Sequence, residues 1–166
     1  MLSTGTAAWF SAAICLTAAL IEGLCAGRHV RPFFAEVRFP PYSAPLWLWS
    51  IIGVLYYLVF GFVLYRVLTH VPPSVLVRSV LALIGAMMLG NALSNLVIFR
   101  ARNLRRSRAI GNLYALLDVV LVFTIARFDA ISSWALVPYL AYRCYAVWWG
   151  HALAELNQPS EPTARS

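Results

Sequence analysis

The fold class this sequence predicts is an all-α integral membrane protein: a five-transmembrane-helix bundle with a long first loop. Three observations predict it. Of the 166 residues, 61% are apolar and only 11% charged, which is not a soluble composition. The apolar residues fall into five runs, each close to the roughly 20 helical residues that cross a hydrocarbon core, with none of the ten-residue alternation of a membrane barrel. The basic residues, all of them Arg, gather mostly at the ends of those runs.

The runs are 7–26, 44–65, 75–99, 109–126 and 131–154, together forming one domain over 1–156. No basic residue precedes the first run, so it is expected to be a retained helix and not a cleaved signal. The connection that follows, RHVRPFFAEVRFPPYSAP over 28–45, is rich in aromatics and prolines. Pro32, Pro40, Pro41 and Pro45 argue against a continuous helix there, and the rings suit a membrane–water boundary. It reads as a lid beside a membrane pocket, with Arg28, Arg31, Phe39, Pro40, Pro41 and Pro45 as its residues. Turn signals at HVPPS (70–74), RARNLRRSR (100–108) and RFDAIS (127–132) separate the later runs, and the tail QPSEPTARS is expected to be disordered from residue 157.

With five spans the termini lie on opposite sides. Arg28, Arg31, Arg38, the five Arg of 100–108 and Arg165 then share one side, against Arg66, Arg78 and Arg127 on the other. The positive-inside rule places the first loop, the Arg-rich loop and the C-terminus in the cytoplasm and the N-terminus outside, in a bacterial inner membrane or an organelle membrane. No soluble basic domain accompanies the charge, so nucleic acid is not an expected partner. Cys15, Cys25 and Cys144 have neither paired nor metal-type spacing. His29, His70 and His151 form no facing mid-membrane pair for haem. Hydrolase, zinc and nucleotide-phosphate motifs are missing from the sequence, and no metal site is expected.

Charges inside the apolar runs are costly enough to require partners or a wet cavity. Glu22, Asp118 and Arg143 fall within the runs, and Asp118 and Arg143 lie near the same depth. Two readings stand: an ion pair locking two helices, or a grip on an anionic ligand. Ala82, Ala86, Gly90 and Ser94 make a small-residue stripe at i, i+4 spacing. It serves either close packing within the bundle or a homodimer seam at Ala82, Ala86 and Gly90. Aromatic rings cluster in the first loop, in the second helix and in the fifth, more densely than an interfacial belt needs. Flat apolar ligands stack well on such walls.

The segments PPYSAPLWLWSIIGVLYYLVFG, GNALSNLVIF, ALLD and VPYLAYRCYAVWWGHALAELN resemble the TspO/MBR family, the tryptophan-rich sensory proteins and translocator proteins, over nearly the whole chain. The resemblance implies a five-helix bundle, often a homodimer, whose pocket under the first loop receives porphyrins, cholesterol or synthetic aromatic ligands. By position it carries over Pro45 and Trp47, Tyr57, Asn91, Asp118, Pro138 and Tyr139. Where the family usually has a Trp-Thr pair in the second helix this chain has Gly53 and Val54, and Ser94, Tyr142 and Gly150 replace a Trp, a Trp and an Asn. Some family members promote light-dependent porphyrin breakdown through pocket tryptophans, and those positions are changed here. Val137, Tyr139 and Arg143 fit a loose cholesterol-recognition pattern, but in mid-helix instead of at the membrane surface.

The expectation is therefore a membrane receptor or carrier for a flat hydrophobic ligand, a tetrapyrrole first and a sterol after it, used in sensing or transport. The ligand-binding residues expected are Trp47, Tyr57, Asn91, Ser94, Asp118, Tyr139, Tyr142 and Arg143, with Arg28, Arg31 or Arg143 as charge partner for propionates. No catalytic residue and no obligatory cofactor is expected; porphyrin or haem enters as a candidate ligand. The alternatives are a photochemical enzyme that degrades porphyrin, and a structural or regulatory partner docking through the Arg-rich loop.

Overall fold

The computed structural model describes residues 2–157, so the expected tail lies, apart from Asn157, outside the described residues. Five long helices form: α1 (Thr4–Ala26), α3 (Leu46–His70), α4 (Val75–Asn95), α5 (Leu104–Ala126) and α6 (Ala130–Leu156), with a short α2 (Val30–Glu36) after α1. Side chains satisfy several of the first backbone N–H groups: Ser3 Oγ accepts from Thr6, Ser74 Oγ from Val77 and Asn103 Oδ1 from Arg106. Pro45, which has no N–H to lose, stands at the start of α3. The last turn after α4, Leu96–Arg100, widens into a π turn with Ala101 N–H bonded to the Leu96 carbonyl at 3.1 Å.

The first connection is not the long irregular loop expected. A 3-10 turn at Gly27–His29 and then α2 extend the helical path of α1 to Glu36, leaving only 37–45 non-helical. Pro32 lies in the first turn of α2, where a missing N–H breaks no helical bond, so it does not stop the helix. Gly27, at φ 55°, makes the change of direction at the end of α1.

Four segments, Thr4–Glu36, Leu46–His70, Val75–Arg100 and Leu104–Ala126, are long and apolar enough to cross a membrane. α6 is equally long but less apolar, because it carries Ser132, Ser133, Arg143 and His151. The two serines are buried inside the bundle. Outward faces are apolar: Trp9 is 80% exposed, Leu24 74% and Phe123 69%. Such a surface suits lipid and is foreign to a soluble monomer, and the chain is an integral membrane protein.

Each long helix leans on two others, giving a closed ring in the order α1, α3, α6, α5, α4. At one end Leu2 N–H bonds to the Leu68 carbonyl, and Arg66 grips Asp129 through Nε and Nη2, both at 2.9 Å. At the other end Arg102 pairs with Glu36, Arg100 Nη2 reaches the Leu24 carbonyl, and Arg38 N–H bonds to Asn157 Oδ1 at 3.0 Å. The first connection, the Arg-rich segment and the end of α6 therefore share one end.

Between the ends the ring is solid in one half and hollow in the other. Phe60, Val63 and Val67 of α3 close the solid half with Val80, Ile84 and Met87 of α4, Leu121 and Ile125 of α5 and Leu136 of α6, all almost completely buried. Between helices in a bilayer such side chains contribute through van der Waals packing, since lipid offers equally apolar surroundings. The hollow half is the one nearer Glu36, Arg102 and Asn157.

Candidate ligand cavity

The hollow half encloses a cavity of about 510 Å³ walled by all five long helices and by Val30 and Phe34 of α2. Helix register explains the wall. α3 turns Trp49, Gly53, Tyr56 and Tyr57 inward; α4 contributes Asn91, Ser94 and Asn95; α5 gives Arg108, Gly111 and Tyr114; α6 gives Tyr139, Tyr142, Arg143 and Trp149. These residues recur at three- and four-residue spacing, as one face of a helix requires.

Three tyrosines mark where the cavity meets the solid core. Tyr56 and Tyr114 hydroxyls lie 3.1 Å apart, the Tyr114 hydroxyl donates to the Met87 carbonyl, and the Tyr139 ring sits 5.4 Å from that of Tyr56. With Phe60 beneath them, 4.5 Å from Tyr56 and 5.5 Å from Tyr139 between centroids, they form a floor.

Two charged fixtures interrupt the aromatic wall. On α1, Glu22 accepts from the Tyr57 hydroxyl at 2.5 Å and from Asn95 Nδ2 at 2.8 Å, so a carboxylate is held by α3 and α4 donors at the cavity surface. On α6, Arg143 Nε lies 2.9 Å from Asp118 Oδ2. The pair lacks hydrogen-bond alignment, since Nε and both Asp118 oxygens are buried without a directed partner. The guanidinium also lies over the Tyr114 ring, 4.5 Å from its centroid. The ion-pair reading of Asp118 and Arg143 is thus realised, with Asp118 behind the wall and Arg143 in it.

At the far end, segment 37–45 is fastened across the helices. The Tyr145 hydroxyl accepts from Ala44 N–H at 3.0 Å and donates to the Tyr42 carbonyl at 3.1 Å. Trp49 Nε1 donates to the Ala44 carbonyl and Trp149 Nε1 to Ser43 Oγ, both at 3.0 Å. Phe39 stacks on Trp149 at 6.2 Å, Trp49 lies 4.9 Å from Trp149, and Phe33 meets Phe99 edge-on at 5.3 Å.

Of the residues expected from the sequence, Tyr57, Asn91, Ser94, Tyr139, Tyr142 and Arg143 come together in the wall. Trp47 does not: it is 64% exposed on the outer face of α3, and Trp49, two positions and about 200° further round the helix, takes the inner place. Asp118 touches the cavity only through Arg143. Arg28, Arg31, Pro41 and Pro45 are exposed and outside the wall, while Pro40 is buried and Phe39 packs on Trp149. Along the stripe on α4, Ala82 and Ala86 are exposed, but a Cβ on Gly90 would meet the Tyr114 ring at 3.5 Å, which places Gly90 in the α4–α5 contact. Sequence reasoning missed Asn95, Arg108 and Tyr114 in the wall; the polar-in-apolar signal that singled out Glu22 would have found Asn95 too.

The arrangement can stack a flat ligand, accept a proton donor at Glu22 and donate to an anion from Arg143. Among the described residues no group of three metal-ligating side chains occurs. No curated protein matches the chain. The family model for the TspO/MBR family matches residues 11–151.

Proposed function

The chain belongs to the TspO/MBR family, and from that membership and its cavity we propose that it is a membrane receptor or carrier for a flat hydrophobic ligand, best matched by a tetrapyrrole such as porphyrin or haem. The observation that carries this reading is the wall of Trp49, Tyr57, Tyr142 and Trp149 around about 510 Å³. Ligand sites of this kind are mostly apolar with a few fixed polar groups. Rings supply stacking and apolar burial, Asn91 one polar contact, and the clasped segment 37–45 a cover. The excess of Arg on the covered end supports a cytoplasmic placement of that end, and the exposed Ala82 and Ala86 support a homodimer seam on α4.

The test is a titration of purified protein in detergent with a porphyrin and with haem. Binding is expected to quench the fluorescence of Trp49 and Trp149 and to raise the thermal midpoint. Ligand at a hundred times its Kd stabilises the folded state by about 2.7 kcal/mol. Absence of both effects with every tetrapyrrole tried overturns the reading.

A further inference from the structure

Four residues of the cavity wall are also exposed: Gly23, Ser50, Val54 and Asn112. Asn112 closes its own seam, since its Oδ1 meets His151 Nε2 across α5 and α6 at 2.9 Å. The other three stand on a single seam, the one between α1 and α3.

That seam is tight at one end and open at the other. In the solid half the two helices meet closely, for a Cβ added to Gly61 would stand 3.3 Å from Cys15 Sγ. Nearer the cavity the Tyr57 hydroxyl donates to Glu22 at 2.5 Å and ties α3 to α1. Beyond that bond the helices part: among the described residues, a Cβ on Gly23 or on Gly53 would meet nothing within 4 Å outside its own helix. Val54 is 61% exposed at this level, and the exposed Leu24 and Leu55 flank the gap with apolar surface. The gap therefore faces acyl chains.

Entry beneath the strap is costlier. Four hydrogen bonds to Tyr145, Trp49 and Trp149 hold segment 37–45, and displacing it breaks them all. Passage between α1 and α3 leaves them intact. A molecule apolar enough to fill this wall is also concentrated in lipid, so it meets the seam from the bilayer side.

We propose that the gap between α1 and α3, edged by Gly23, Ser50 and Val54 and bounded by the Tyr57–Glu22 bond, is a side window through which ligand passes between cavity and lipid while the strap stays fastened. This rests on the flat-ligand reading above and adds the route by which the site fills.

The experiment follows the quenching of tryptophan fluorescence by a porphyrin, on mixing and on dilution, with the protein in phosphatidylcholine vesicles. The double variant Gly23→Leu/Val54→Phe fills the window; open space at Gly23 and the outward position of Val54 admit both side chains. Association and dissociation are expected to slow together, roughly tenfold or more, with Kd held within about threefold, because a passage alters rates and not the bound state. The single variants, measured beside it, should each slow both rates part of the way. Leu58→Phe, one turn along α3 on the lipid face, and Tyr145→Phe, which loosens the strap, should keep the unmodified rates. Unchanged rates in the filled variants overturn the proposal and leave the flat-ligand reading standing. So does slower association with unchanged dissociation, which makes Gly23 and Val54 contacts of the bound ligand. Faster exchange in Tyr145→Phe overturns it too, by assigning entry to the strap. Failure of the porphyrin to bind the unmodified protein overturns the proposal together with the reading beneath it.

Discussion

Asp129 sits between α5 and α6, outside the spanning segments, where two influences oppose each other. Burial pushes its carboxyl up, but the Arg66 guanidinium and the Ser132 hydroxyl, 2.5 Å away, together hold it below the usual carboxylate range. A folded-state value below the unfolded one means that the contribution to stability is complete above the unfolded value, near pH 4, and is lost as the pH falls through the folded one. The thermal midpoint in detergent should therefore drop below about pH 4. Asp129→Asn should lower stability by roughly 1.5–3 kcal/mol at neutral pH and flatten that acid limb. An acid limb unchanged in the variant would assign it to other groups. Individual charges were unequally legible in the sequence. Asp118 and Arg143 announced their pairing because both interrupt apolar runs at similar depth. Glu22 was visible as a cost, but its partners Tyr57 and Asn95 lie on two other helices, and no local pattern points to them.

Among the elements, segment 37–45 behaves as a strap whose fastening is mostly one residue, since the Tyr145 hydroxyl holds both Ala44 and Tyr42. Tyr145→Phe keeps the ring packing and removes both bonds. Amide exchange at 42–44 should then accelerate while exchange in α3 and α6 stays as it was; unchanged exchange at Ala44 would mean that Trp49 and Trp149 suffice to hold the strap. The five long helices were legible because apolar length alone defines them. Their edges were less so: α5 begins at Leu104, not at 109, since Arg105, Arg106 and Arg108 interrupt apolarity without interrupting helix formation. α2 was hidden by its proline for the opposite reason, a breaker standing where it breaks nothing. The inner face of α3 was hidden too. A helix apolar all round carries no stripe to mark its inside, which is how Trp47 came to be expected where Trp49 stands.

Over the whole molecule, stability and recognition are separated along the bundle axis. Phe60→Ala empties a fully buried site in the solid half and should cost about 3–5 kcal/mol. Tyr142→Ala, in the cavity wall, should change the midpoint far less and weaken porphyrin binding several-fold. Midpoints measured with and without ligand separate the two effects, and a Tyr142→Ala loss of stability as large as that of Phe60→Ala would refute the division. The floor of Tyr56, Tyr114 and Tyr139 has a further consequence. It closes the cavity toward the solid half, so a molecule taken up there leaves by the way it entered unless the packed half parts. Passage from the cavity through the solid half would require parting its buried contacts, whereas occupancy of the cavity requires none of them to move.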